Sequence, residues 1–357
     1  MNDKRRTVEL VVVGGLIGVL AVLSVMKGNP GNMGICIACF IRDIVGGLGL
    51  HRAEVVQYIR PEIIGIVLGA MAISVVQKEF KPRAGSAPLL RFVIGFFVMV
   101  GALVFLGCPT RMLLRLAGGD LNAIFGLAGF VAGVGVGIFF LQKGYSLKRS
   151  YKSSAIEGSV ISIMQVVLLV LLMSGAGFIL FSQEGPGSKH APILWSLIVG
   201  LVVGVGAQKT RMCTAGSFRD IIMFKDFTLF WGIFSTFVFA LIMNIVMKKF
   251  NLSFAEQPVA HMDGLWNFLG MVVVGFGAIL LGGCPLRQLV LAGEGNVDSA
   301  ITVIGLAVGA AFAHNFGLAS SPKGPTPAGQ MAVVIALIVF VVIGFMNIRK
   351  DNGFITK

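Results

Sequence analysis

Leu106-Gly107-Cys108-Pro109-Thr110-Arg111 returns almost unchanged as Gly282-Gly283-Cys284-Pro285-Leu286-Arg287, 176 positions later. Gly119-Asp120 and Gly295-Asn296 follow at the same offset, so the match runs through a whole short element. A second cysteine turn repeats as well: Cys36, Arg42 and Asp43 fall opposite Cys213, Arg219 and Asp220, at an offset of 177. Four of the five cysteines therefore stand at duplicated positions.

Gly-Cys-Pro-x-Arg has the chemistry of a helix start. Gly107 and Gly283 let the chain turn, and each cysteine stands near the N-cap. Pro109 and Pro285 suit the first helical position, where no N–H is needed, and Arg111 and Arg287 lie in the first turn. A thiol there faces the positive end of a helix dipole and unpaired backbone N–H groups, which attract anions. One isolated free cysteine in an apolar chain is ordinarily a small hydrophobe. Repetition with the same flanking residues argues for a site instead.

The 357 residues are 56% hydrophobic and 13% charged, with mean hydropathy +0.91, which identifies an integral membrane protein. Charge-free runs such as 92–109 are long enough to cross about 30 Å of hydrocarbon as helices. The 48 glycines point to closely packed or broken helices. Residues 1–6 are basic and precede an apolar run, as in a signal peptide, but no small-residue cleavage site follows, and 8–26 is long enough to stay as a span.

Ten spans are expected, near 8–26, 61–77, 89–106, 121–141, 159–181, 192–208, 227–247, 265–282, 297–314 and 328–347. With the N-terminus inside, 19 of the 29 Lys and Arg fall on the inner side, counting Arg91 at the edge of its span. That bias places both termini in the cytoplasm. The net charge of +13 therefore reads as topology, concentrated in Lys78/Lys81/Arg83 and Lys143/Lys148/Arg149/Lys152. With no basic domain interleaved with aromatics, no nucleic-acid partner is expected.

The expected fold is all-α and polytopic, about ten transmembrane helices with four short non-spanning helices, one at each duplicated cysteine turn. Five crossings in the first half force the second copy to enter upside down, giving two inverted repeats. The expected division is 1–155 for the first repeat core, 156–185 for the span closing that half, 186–320 for the second core, and 321–357 for the final span and tail. The last span, 328–347, is read as the counterpart of 159–181. Gly126, Gly129, Gly133 and Gly137 mark a close-packing face, and Arg42-Asp43 reads as a structural ion pair or part of a site. Cys36, Cys39 and Cys108 enter from the outer side, and Cys213 and Cys284 from the inner side, to line one path.

Both Gly-Cys-Pro-x-Arg turns, the stretch Arg211-Met212-Cys213-Thr214-Ala215-Gly216-Ser217-Phe218-Arg219-Asp220 and the duplicated layout make the chain similar to the YeeE/YedE-type sulfur transport family, and most like its YedE-like selenium-transporter members. That resemblance implies thiosulfate uptake in one branch, selenium in the other, and membrane-buried cysteines that hand the substrate inward. The role carries onto Cys108, Cys213 and Cys284; Cys36 is supported chiefly by the internal repeat, and Cys39 has only Gly216 as its counterpart. The expected cargo is a small sulfur or selenium anion that steps between thiols, with membrane lipid around the chain and a cytoplasmic sulfur-carrier protein collecting the cargo. Arg111, Arg287, Arg42 and Arg219 would steer the anion or brace the short helices.

The competing reading is a membrane thiol–disulfide electron carrier, since Cys36-x-x-Cys39 has redox spacing. No thioredoxin-like pattern surrounds it. No cofactor, metal or catalytic residue is expected: His51, His190, His261 and His314 read as scattered loop or interfacial residues, no Walker-type glycine loop occurs, and Glu184, Glu256, Asp263 and Glu294 read as loop residues.

Overall fold

Apolar runs of about twenty residues, broken by glycine, proline and short polar turns, leave the chain little choice but helices, because backbone polar groups in hydrocarbon must pair within their own segment. The computed structural model describes residues 3–348. Its helices are α1 (Asp3–Met26), α2 (Ile37–Gly47), α3 (Pro61–Val76), α4 (Pro88–Phe105), α5 (Pro109–Ala117), α6 (Asn122–Gln142), α7 (Ala155–Ser174), α8 (Gly185–Ser188), α9 (Ile193–Thr210), α10 (Thr214–Phe224), α11 (Thr228–Val246), α12 (Gly264–Leu281), α13 (Pro285–Gly293), α14 (Val297–Asn315) and α15 (Pro327–Met346). Ten helical stretches among the described residues are long and apolar enough to cross a membrane, so this is a multi-pass membrane protein. Arg83–Ala84 pairs antiparallel with Tyr151–Lys152 in a small sheet outside the bundle.

Most span boundaries fall within a few residues of the expected ones. The fifth is the exception. Helix α7 begins at Ala155, where Ser154 accepts a hydrogen bond from Glu157 N, and stops at Ser174, where Gly175 turns left-handed at φ 61°. Residues expected to finish that span instead run as a loop. The expected C-terminal tail beyond residue 348 lies outside the described residues.

The two halves interleave. Apart from the closing spans, each long helix of one half packs along a helix of the other: α1 on α11, α3 on α9, α4 on α14 and α6 on α12. These pairs run parallel, as alternate crossing requires. A Cβ at Gly133 would stand 2.2 Å from Val272 O and one at Gly129 2.0 Å from Phe268 O, so both chains advance together, and only glycine admits the approach. Helices α4 and α12 occupy equivalent places in the two halves and cross antiparallel, Gly101 against Gly270 and Val98 against Gly277. An inverted repeat gives this relation.

Hydrogen bonds repeat the symmetry at both ends of the bundle. On the face where α1 begins, Lys81 N and Arg83 N donate to Glu294 O (3.1 Å) and Gly295 O (3.3 Å). On the opposite face, Asn251 N and Ser253 N donate to Gly118 O (2.9 Å) and Gly119 O (3.1 Å). The closing spans break it. Helix α7 packs on α3, α13 and α14, whereas α15 packs on α4 and α12, so α15 does not occupy the position that the α7 correspondence assigned it.

Candidate functional site

Four of the five short helices start at a cysteine N-cap, all but α8: Cys36 before α2, Cys108 before α5, Cys213 before α10 and Cys284 before α13. Pro109 and Pro285 occupy the first helical position. Cys36 Sγ accepts from Cys39 N at 3.3 Å, and Cys213 Sγ accepts from Gly216 N at 3.3 Å. The Cys39/Gly216 pair thus supplies the same backbone donor and differs only in the side chain. At Gly216 a Cβ would press on Cys213 Cβ and Leu229 Cδ1, both at 3.3 Å.

The helix starts meet in twos. Cys108 Sγ accepts from Ile37 N, at the first position of α2, at 3.3 Å. In the second half Cys213 Sγ accepts from Cys284 N, at the head of α13, at 3.4 Å. The thiols therefore assemble as two sets, Cys36/Cys39/Cys108 and Cys213/Cys284, each at two convergent helix N-termini. All five are free and buried. The sets share one framework, since α2 touches α13 and α5 touches α10. The site is occluded in this conformation, with no thiol more than 6% exposed.

The turns themselves differ from the expected glycine role. Leu106 (φ 62°) and Gly282 (φ 78°) carry the left-handed turn, one residue ahead of Gly107 and Gly283. Gly107 and Gly283 instead clear room for the arginine of the motif. A Cβ at Gly107 would lie 3.0 Å from Arg111 Cδ, and one at Gly283 2.9 Å from Arg287 Cγ.

Arg111 is fully buried and satisfied by neutral acceptors: Asn32 O (3.2 Å), Leu106 O, Pro258 O (3.2 Å) and Val259 O (3.1 Å), with Cys39 Sγ 3.6 Å from Nη1. It ties α5 to a loop of the other half and brings positive charge to the first thiol set. Arg287 has different company. Its Nη1 donates to Gln208 Oε1 (3.3 Å), and its Nη2 lies 3.6 Å from Glu294 Oε2. Arg42 and Arg60 both clasp Asp43, at 2.6 and 2.7 Å, within the buried region around α2. Arg219 pairs with Asp220 at 2.7 Å and is one-third exposed.

Sequence reading missed three features. Arg115 and Asp120 form a fully buried pair at 2.6 Å, with Arg115 stacked 4.3 Å from the Phe105 ring; the Arg-x4-Asp spacing across a Gly-Gly turn was the available signal. Glu294, read as a loop residue, is 3% exposed and accepts from Arg83, Arg211 and Gln208. The histidines are not all scattered: the His51 and His314 rings lie 4.7 Å apart, and His190 stacks on Tyr58 at 4.1 Å. Long-range folding brings these together, and no local spacing foretells it.

Residues 209–348 match the model of a family described as sulphur transport. Two curated relatives are each named thiosulfate transporter TsuA. The one from Spirochaeta thermophila is 31% identical over 104 residues, which is 29% of this chain and 31% of the relative. The one from Escherichia coli K12 is 30% identical over 117 residues, 31% of each chain. The chain thus spans about a third of the length of the curated relatives it matches. The likeness to the YeeE/YedE-type sulfur transport family is borne out, and the matched segment holds α10, α13 and the second thiol set.

Proposed function

We propose that this chain, whose second half carries the sulphur-transport match, moves a small sulfur-containing anion of the thiosulfate type across the bacterial inner membrane, inward, with both termini in the cytoplasm. The observation that carries the reading is the pairing of thiols at convergent helix N-termini, once in each inverted half. Such a place offers positive potential from aligned peptide dipoles and weak S–H donors, which hold a soft anion without binding it too tightly to leave. Cys36, Cys39 and Cys108 receive the anion in the first half. Cys213 and Cys284 pass it on. Arg111 and Arg287 keep positive charge beside each set, while Arg42, clasped to Asp43, braces α2, and Arg219 braces α10. A selenium anion of similar size and softness would use the same thiols, and a cytoplasmic sulfur-carrier protein would take the cargo at the inner face.

The burial of the thiols weighs against the electron-carrier reading. Cys36 Sγ is turned to its own cap N–H, and both thiols of the Cys36-x-x-Cys39 motif are fully buried, away from any protein redox partner. Uptake of radiolabelled thiosulfate by cells expressing the chain, with selenite, selenate and sulfate as competitors, tests the proposal. Accumulation above vector controls, blocked by unlabelled thiosulfate, is expected. No thiosulfate accumulation above vector controls would overturn it.

A further inference from the structure

The pseudo-two-fold relates the two thiol sets, but the charge beside the motif arginine differs between them. Arg287 and Arg111 are equivalent by the 176-residue offset, and each bonds to the segment just ahead of the other cysteine turn of its half, through Gln208 Oε1 and Asn32 O. The position equivalent to Glu294 is Gly118, which has no side chain. Arg111 therefore stands beside its thiols with only neutral acceptors, while Arg287 faces a carboxylate.

That carboxylate sits in a cradle of donors. Glu294 Oε1 accepts from Arg83 Nη2 (3.2 Å). Its Oε2 accepts from Arg211 Nη1 (2.8 Å) and Gln208 Nε2 (3.0 Å), with Arg287 Nη2 at 3.6 Å. Three guanidiniums and an amide converge on one carboxylate, an arrangement suited to a small oxyanion. Side-chain exposure rises from 4% at Glu294 through 11% at Arg287 to 30% at Arg83 and 38% at Arg211, so the cradle runs from the buried thiol set to the surface where α1 begins. Arg211 stands two residues before Cys213 and is held in a left-handed turn at φ 58°, with its other nitrogen on Glu79 at 2.8 Å.

We propose that Arg83, Gln208, Arg211 and Arg287 form an anion-release site, at present filled by the tethered carboxylate of Glu294, which an oxyanion leaving the Cys213/Cys284 set displaces. The transported cargo in this statement rests on the function proposed above; the site itself rests on the cradle. Glu294 makes the second half bind the anion more weakly than the first, because any anion there competes with a resident charge. In the first half the nearest carboxylate, Asp43, is engaged by Arg42 and Arg60, and Arg111 itself has no carboxylate partner. The asymmetry favours capture at Cys36/Cys108 and release past Cys213/Cys284. Displacement also frees the Arg83 guanidinium, whose Nη2 donates to Glu294 Oε1.

The test uses the purified full chain in detergent: wild type, Glu294→Gln and Arg287→Gln. Melting temperature is followed against sodium thiosulfate and sodium sulfate, with sodium chloride at matched ionic strength. Half-maximal stabilisation of Glu294→Gln is expected at about tenfold lower thiosulfate or sulfate than wild type, and Arg287→Gln is expected to lose the response. Equal titration of wild type and Glu294→Gln, or an equal shift from chloride, would overturn the proposal. If Glu294→Gln does not fold, a thiosulfate response in wild type that is absent in Arg287→Gln supports the site, and the same response in both rejects it. Stabilisation by sulfate in a protein that imports no thiosulfate keeps the release site and removes only the cargo.

Discussion

Asp120 is held by Arg115 Nε at 2.6 Å and accepts from Asn122 N at 2.9 Å, and all three residues are buried. Removing its charge leaves a buried guanidinium uncompensated, so Asp120→Asn should destabilise the protein by about 3–5 kcal/mol, measured as a shift in denaturant midpoint. Gly283 is limiting for a different reason. An alanine there meets Arg287 Cγ at 2.9 Å, and overpacking of that kind costs about 1–3 kcal/mol. Gly283→Ala should therefore lower the melting temperature and displace Arg287 from Gln208. The loop histidines destabilise the fold on acidification, in the same sense as a carboxylate whose folded pKa is depressed. Burial holds His51 and His190, outside the spanning segments, below the ordinary imidazole range. His51 is the Nε2–H tautomer, donating to Arg42 O at 3.1 Å while Nδ1 accepts from Ala53 N at 3.3 Å. Their contribution is present above the unfolded value of about 6.5 and is lost as pH falls through the lower folded values. Hydrogen-exchange protection in 48–60 and 182–191, corrected for the intrinsic rate at each pH, should fall on acidification, and a His51→Gln/His190→Gln variant should lose that pH dependence.

At the scale of elements, much was legible because the decisive signals were local. A cysteine followed by proline, with an arginine in the first turn, needs only chain connectivity to be read as a helix start, and all four duplicated cysteines stand at N-caps. The Gly126/Gly129/Gly133/Gly137 face was legible too, since residues three and four apart on a helix share a side. All four are buried in α6, which packs on α12. Gly133→Ala should force that pair apart and cost about 1–3 kcal/mol. Gly135→Ala, where a Cβ meets nothing within 4 Å, should be neutral in the same unfolding assay. What could not be read was anything that depends on which helix lies beside which. The Glu294 cradle draws on α9, α13 and the 78–86 loop of the other half, and the His51–His314 contact joins residues 263 positions apart. The early end of α7 was missed because its apolar composition continues past Gly175, where only the left-handed φ stops it.

For the molecule as a whole, the repeat offset predicted inversion from a count of crossings, and the antiparallel crossing of α4 with α12 and the cross-half strand bonds at both ends agree with it. The fate of α15 was beyond that argument, because hydropathy fixes a span but not its neighbour. Thiols that act in series must come from both halves, so the account stands on whether each half is needed by the same anion. The most direct measurement is the initial rate of radiolabelled thiosulfate uptake by single Cys108→Ala, Cys213→Ala and Cys284→Ala variants, at matched protein levels in the membrane. Each is expected to lose at least about tenfold in rate, a barrier change of about 1.4 kcal/mol. Uptake at the wild-type rate in all three, or a loss confined to one half, would contradict it.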